Sequence, residues 1–340
     1  MDFTFSSEQR ELREQARSFL EAHFPPSRVA QLAESEAGWD PDIWPELAQL
    51  GWLGVSVPED LGGAGLTFIE EAILIEEFGR SLFPGPYLST IGFARPALSG
   101  NQLAQVAAGS RRWSACLGES NLVPDLAFVD QVVLLRGDQL LAVAPEGRPA
   151  TSIDSTRRMV ALSSSQGEVL ASGPPAQELA QAMRLRLATA LALEAVGVAQ
   201  RVLEWGLEHV RTREQFGRPI GSYQAVSHPL VDTFVEVELA RSLAYWAAWC
   251  ISVDDPQLGL AAAAAKSAAA EAAVHACERV IQVHGGMGFT WESPLHRYYK
   301  RALWIEHFGG SPGQHRRRLA SQLLAGGGST AESQPAHRGG

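Results

Sequence analysis

Between Ala176 and His284 the sequence keeps helical periodicity almost unbroken, and this limits the possible folds more than any other feature. Apolar and small residues recur at three- and four-residue spacing over about 176–211, 223–252 and 258–284, with short connections between. Long helices joined this way run antiparallel, so the stretch predicts a helical bundle. Pro174-Pro175 marks its start. A further helix is predicted over about 293–308 and a short one over about 314–324. The Ala-rich run Leu258–Ala273 is interrupted by Lys266 and Glu271, so it does not read as a membrane span.

The segments before the bundle have other periods. Ser6 or Ser7 is placed to cap a helix through Leu12, Ala16, Phe19 and Leu20, which Pro25-Pro26 stops. A second helix is predicted over 42–50. Gly62, Gly63 and Gly65 read as a flexible loop. Thr67 and Glu70 form a capping box for a helix with Ile69, Ile73, Leu74 and Phe78 on one side. From Trp113 to about Val169 short apolar runs predict about six strands, with a hairpin turning at Arg136-Gly137-Asp138. The expected organisation is an α-helical domain at 1–112, a middle β domain at 113–173, a helical bundle at 174–324 and a polar, disordered tail at 325–340.

Composition removes several classes of function. The chain has 340 residues and a net charge of −10, with no basic face for nucleic acid. Its three cysteines, Cys116, Cys250 and Cys277, have neither disulfide nor zinc spacing and read as buried thiols in a reducing cytoplasm. The N-terminus lacks the zones of a signal peptide. The 62–65 glycines are no phosphate cradle, because no Lys-Ser/Thr follows them.

Three motifs carry the chemistry: PEDLGGAGLTFIEEAILIEEFGR at 58–80, RTREQFGRPIGSYQAV at 211–226 and IQVHGGMGFTWESPLHRYYKRA at 281–302. In this order and spacing the chain resembles the acyl-CoA dehydrogenase family over about 1–112 and 176–320. FTWESPLHRYYKRA is most similar to actinobacterial-type members that act on bulky substrates, including steroid side chains. The resemblance implies a mostly α fold with a small β domain: an N-terminal helical domain, a shortened, β-barrel-like middle domain and a C-terminal four-helix bundle. It also implies FAD bound between subunits and an acyl-CoA substrate oxidised at Cα–Cβ. In that reaction a carboxylate removes the α-proton and the flavin takes the β-hydride.

By this resemblance Arg213, Phe216, Gln224, Gln282, Gly285 and Gly286 grip the ADP half of an FAD held mainly by a neighbouring subunit. The residue types suit the task. A guanidinium forks onto a diphosphate, Phe216 offers a flat face to adenine or ribose, and Gly285-Gly286 let backbone approach closely. Gly288 is expected to keep the following turn open. Each residue also has a plainer use. Arg213 can pair with Glu214 or Glu208, Phe216 can be core, Gly285-Gly286 can be a helix C-cap, and His284 reads as a turn or surface histidine.

The departures from the family pattern are selective. The usual base position falls on Gly309, in EHFGGSPGQHRR, and the alternative one falls on Leu187, in MRLRLATALAL. Neither accepts a proton. Glu306, one turn before Gly309, is the nearest carboxylate, with pairing to Lys300 or Arg301 as its plain reading. In the middle domain, Glu119 and Ser120 only weakly echo the flavin-contacting stretch, and Ser311 stands where the family has Thr. The position after Leu187, where relatives place an Arg, is Ala188. The catalytic base is therefore unassigned, and no metal site is read. Three readings follow: a base-lacking subunit of an α2β2 acyl-CoA dehydrogenase that completes a homologous partner's FAD site; a homo-oligomer using an unorthodox base such as Glu306; or a flavin-free scaffold.

Overall fold

A computed structural model describes residues 4–118 and 120–327. Glu119 and residues 328–340 of the tail predicted to be disordered lie outside the described residues, while 325–327 are helical.

The N-terminal elements begin where their caps predict. Helix α1 (Ser7–His23) starts at Ser6, whose hydroxyl accepts from Gln9 N–H at 3.2 Å while the Gln9 side chain accepts from Ser6 N–H at 3.0 Å. Pro25 ends α1, but Pro26 opens α2 (Pro26–Glu34), a helix not anticipated from the sequence; proline is well placed there because its missing N–H would go unused. After α3 (Ile43–Gln49), the 54–66 segment folds back on itself. Gly63 packs so tightly on Val57 that a side chain there would collide, so this loop is a fitted turn rather than the flexible one expected.

Helix α4 (Phe68–Arg80) has the predicted Thr67–Glu70 box. It is not amphipathic, however, because Glu71, Glu76, Glu77 and Arg80 are buried along with Ile73, Leu74 and Phe78. Arginines from other helices make this possible: Arg13 and Arg17 of α1 reach Glu76 and Glu77. A wide π-type turn over Leu88–Ala94 and helix α5 (Asn101–Ala107) complete this part.

Seven short strands follow, β1 (Trp113–Cys116) to β7 (Gly167–Ser172), one more than predicted. One sheet has the order β1-β3-β4-β7, and the other β2-β6-β5. Strands β3 (Gln131–Arg136) and β4 (Gln139–Val143) form the predicted hairpin, with Arg136 opposite Gln139. Alternation along the strands splits the burial between two cores. The Val132–Val143 pair faces a small core shared with β2 (Leu122–Pro124) and β6 (Met159–Leu162), while the neighbouring Val133–Ala142 pair faces the main core. Strand β5 (Gly147–Ala150) pairs with β6 at the edge of the second sheet.

The helical half matches its predicted periodicity. Helix α6 (Pro174–Thr212) runs 39 residues, followed by α7 (Gln224–Ser252), α8 (Leu258–His284), α9 (Leu295–His307) and α10 (Pro312–Gly327). Between α6 and α7 a small hairpin pairs β8 (Glu214–Gln215) with β9 (Arg218–Pro219). The alanines of α8 are nearly all buried, so small side chains let its neighbours approach closely. Helices α4 and α6 also pack closely: a Cβ on Gly79 would strike the Glu194 carbonyl and one on Gly197 the Glu76 carbonyl. All three cysteines are buried. Among the described residues no helix is long and apolar enough to cross a membrane.

Candidate functional site

Two exposed arms leave neighbouring ends of the bundle. The first follows α6. The Arg213 N–H donates to the His209 carbonyl at 2.8 Å, and the Arg213 carbonyl accepts from Ile220 at 2.8 Å. Between them the β8–β9 hairpin turns at Phe216 (φ 53°) and Gly217 (φ 78°), the left-handed pair that fits a two-residue hairpin. Glycine suits this backbone; an aromatic residue there is held against its preference. Phe216 is 93% exposed, which excludes the core reading. Tyr223 braces the hairpin, donating to the Gln215 carbonyl at 3.2 Å with the Arg218 guanidinium 4.1 Å above its ring. The Arg213 guanidinium is exposed and, among the described residues, has no ion-pair partner, so neither Glu208 nor Glu214 occupies it. Gln224 opens α7 and is exposed.

The second arm follows α8. Gln282 is exposed on its last turn, and Gly285 (φ 61°) ends the helix, so the C-cap use is real. A side chain on Gly285 or Gly286 would meet nothing, so their backbone stands open to a ligand. Gly288 differs from expectation: it is buried, and a Cβ there would strike the Ile281 carbonyl, so it permits close packing instead of opening the turn. Beyond it Phe289 and Trp291 are 75% and 72% exposed. His284 is half-buried, not simply a surface residue. It stacks on His209 with ring centroids 4.1 Å apart.

The two positions that the resemblance matches to the family's base lie near each other in the same half, Leu187 buried and Gly309 exposed. Gly309 (φ 72°) sits in the turn between α9 and α10, and a Cβ on it would lie 3.1 Å from Leu191 Cδ1 and 3.5 Å from Leu187 Cδ2. The three atoms nearest such a Cβ are all leucine carbons. Glu306 points elsewhere, lying 3.6 Å from the His307 ring. Its expected partners are engaged in other ways: Lys300 lies 4.8 Å over the Trp291 ring, and Arg301 is fully buried.

Two buried cation-forming groups hold this turn by its backbone. Lys266 Nζ donates to the Ile305 carbonyl at 2.6 Å and to the Gly310 carbonyl at 3.3 Å. His315 Nε2 donates to the Gly309 carbonyl at 3.1 Å. Burial pushes the lysine down to about 7. Burial, with Lys266 beside it, pushes the histidine down to about 4. Ser311 is used locally as the cap of α10, accepting from Gln314 N–H at 3.4 Å.

Sequence reasoning missed a buried ionic cluster that ties the β layer to the bundle. Glu194 on α6 accepts from Arg157 at 2.6 Å and from Arg301 of α9. Arg157 also reaches Asp125 at 3.0 Å, and Arg301 reaches Asp154 and the Thr156 hydroxyl, the latter at 2.7 Å. Burial raises the Asp125 carboxyl despite the arginine beside it. A signal did exist: Arg301 shares the apolar face of α9 with Leu295, Tyr298 and Ile305. At the β layer's other edge, Arg184 of α6 donates to the Leu117 carbonyl at 3.0 Å, and Ser120 accepts from its neighbour Leu122 N–H at 3.2 Å. Arg184 also lines a cleft of about 340 Å³ with Gln181, Ala188, His315, Arg318 and Gln322. Among the described residues no group of His, Cys, Asp and Glu is arranged to hold a metal.

The exposed Arg213, the outward Phe216 and the open Gly285-Gly286 backbone lie accessible from outside this chain. Residues 6–101 match the acyl-CoA dehydrogenase N-terminal domain and residues 179–324 the C-terminal domain. The chain is 34% identical over 329 residues to acyl-CoA dehydrogenase IpdE2 of Mycobacterium tuberculosis, covering 93% of this chain and 97% of that protein. Among solved structures it is similar to a chain of the Tcur3481-Tcur3483 steroid ACAD, G363A variant, with a TM-score of 0.85 and 29% identity over 95% of this chain and 99% of the other. A chain of the ChsE4-ChsE5 complex from Mycobacterium tuberculosis shares the fold, with a TM-score of 0.83 and 24% identity over 99% and 100% of the two chains. The chain belongs to the acyl-CoA dehydrogenase family, whose cofactor is FAD.

Proposed function

We propose that this chain is the base-lacking subunit of a cytoplasmic, heteromeric acyl-CoA dehydrogenase, α2β2 in form, which completes the ADP side of its homologous partner's FAD site. One observation carries the reading. The two positions that the resemblance assigns to the family's carboxylate are Leu187 and Gly309, neither of which accepts a proton, and a Cβ on Gly309 would lie 3.5 Å from Leu187 Cδ2. The residues for the far end of a cofactor, in contrast, stand exposed: Arg213, Phe216, Gln224, Gln282, Gly285 and Gly286.

Bound FAD supplies the hydride acceptor for α,β-desaturation of an acyl-CoA thioester. This chain's part is to bind and orient. Arg213 forks onto the diphosphate, Phe216 stacks on adenine or ribose, and the Gly285-Gly286 backbone closes on the cofactor. Removal of the α-proton falls to the partner, which carries the base. The name of the Tcur3481-Tcur3483 protein makes a steroid-bearing acyl-CoA the first substrate to try, and the ChsE4-ChsE5 complex supports pairing of two different chains.

The test is expression of this chain alone and with a homologous subunit that has a glutamate at one of the two base positions. Flavin absorbance and acyl-CoA-dependent reduction of ferricenium are then measured. The co-expressed complex is expected to be yellow and active, and the lone chain pale and inactive. Stoichiometric FAD with full turnover in the lone homo-oligomer sinks the proposal. In that event Glu306→Gln distinguishes an unorthodox base from none. A colourless co-expressed complex favours the scaffold reading.

A further inference from the structure

Each arm leaves its helix at a histidine. His209 lies in the last turn of α6, and its carbonyl holds the Arg213 N–H. His284 is the last residue of α8, immediately before Gly285. The two imidazoles stack with centroids 4.1 Å apart and planes 19° apart. His284 Nδ1 lies 2.8 Å from the Val280 carbonyl, which only accepts, so Nδ1 carries a proton. The stack borders a cleft of about 530 Å³ with Trp205, Thr212, Met287 and Leu295.

The charged groups around the pair come from every element packed there. Glu208 on α6 and Glu292 before α9 line the cleft, and Arg213 acts from the first arm. The balance is against ring charge: burial, the facing His284 and Arg213 all hold His209 below the ordinary imidazole range.

We infer that His209 and His284 are positioning residues whose stack sets the spacing of the two arms, holding them ready for an adenine dinucleotide while both rings are uncharged. This rests on the reading of the arms as ADP contacts. Two neutral imidazoles stack favourably, whereas two imidazolium rings at this separation repel. Repulsion parts the ends of α6 and α8, and Arg213 and Gly285 follow, being four residues and one residue from the rings.

The test uses the FAD-bearing complex, equilibrated between pH 7.5 and 5.5, with bound flavin read from the flavin-to-protein absorbance ratio after gel filtration. The wild type is expected to hold FAD roughly fivefold more weakly at the acid end, roughly tenfold being the low-pH limit for a coupling of about one pKa unit. His209→Phe, which keeps an aromatic ring in the stack, restores binding that His209→Ala loses and flattens the pH profile. A profile as steep in His209→Phe as in the wild type, or an alanine variant that binds like the wild type, overturns the inference. A second readout needs no flavin: hydrogen exchange of the Arg213 and Ile220 amides and of 285–291 in the full chain, corrected for intrinsic rate. Protection in both arms is expected to fall together at pH 5.5 in the wild type and to persist in His209→Phe. Arms whose protection ignores pH overturn the inference. Absence of flavin at every pH, with protection still linked to pH, counts against the proposed function alone.

Discussion

Leu187 lies beside Gly309, so that a methyl built on Gly309 would sit 3.5 Å from Leu187 Cδ2. By the family resemblance these are the two positions expected to carry the proton-abstracting carboxylate, and this chain has a carboxylate at neither.

Restoring the carboxylate at the usual position is therefore not a simple reversal. Gly309 has φ 72°, and its Cβ direction runs into Leu191 at 3.1 Å. Gly309→Glu is expected to cost about 1–3 kcal/mol through backbone strain and crowding. Urea denaturation measures that cost. Ferricenium reduction by the lone variant should stay at background, and turnover there would show that the leucines yield easily.

Phe216 separates stability from binding. Its side chain packs against almost nothing in this chain. Phe216→Gly, which suits the left-handed backbone, should keep stability within about 0.5 kcal/mol of the wild type. Flavin retention in the co-expressed complex should fall. A large loss of stability in the lone chain would give Phe216 a folding role instead.

Lys266 makes stability depend on pH at the alkaline side. Burial lowers its folded pKa from 10.5 to about 7. Across that window the unfolded chain holds a proton that the folded chain lacks. By linkage, stability then rises with pH, by at most about 1.4 kcal/mol per unit. His315 acts in the same sense lower down, between about 4 and its ordinary 6.5. In Lys266→Met the upward slope between pH 7.5 and 9.5 should disappear from urea-unfolding free energies. Overall stability should also drop, because the Ile305 and Gly310 carbonyls lose their donor.

Glu194 is the shared acceptor of two buried guanidinium groups. Glu194→Gln leaves Arg157 and Arg301 short of negative charge in the interior. The expected loss is about 3–5 kcal/mol, typical of breaking a buried pair. The β layer should loosen from the bundle first, seen as faster amide exchange in β6 before α8. Uniform exchange changes would mean that the cluster does not act as a local tie.

Some of this was legible in the sequence because it is local. Ser6, Thr67 and Glu70 cap helices by reaching their own neighbours, and the Arg136–Gln139 hairpin follows from two apolar runs around Gly137. The long periodic segments of the bundle needed no partner to be recognised. The six residues proposed to contact ADP came from motif resemblance; the structure adds that Phe216 and the Gly285-Gly286 backbone face outward.

What the sequence alone determined is the order of elements, the family, and the absence of a carboxylate at 187 and 309. The tertiary structure decided everything that depends on residues distant along the chain. The burial of Glu71, Glu76, Glu77, Glu194 and Arg301 was not anticipated, because helical periodicity does not show that a charge from another element will meet them. The same applies to Gly309 against Leu187, to Lys266 under the turn, and to His209 on His284. Packing brings such groups together, and the low dielectric around them gives each pairing its energetic weight.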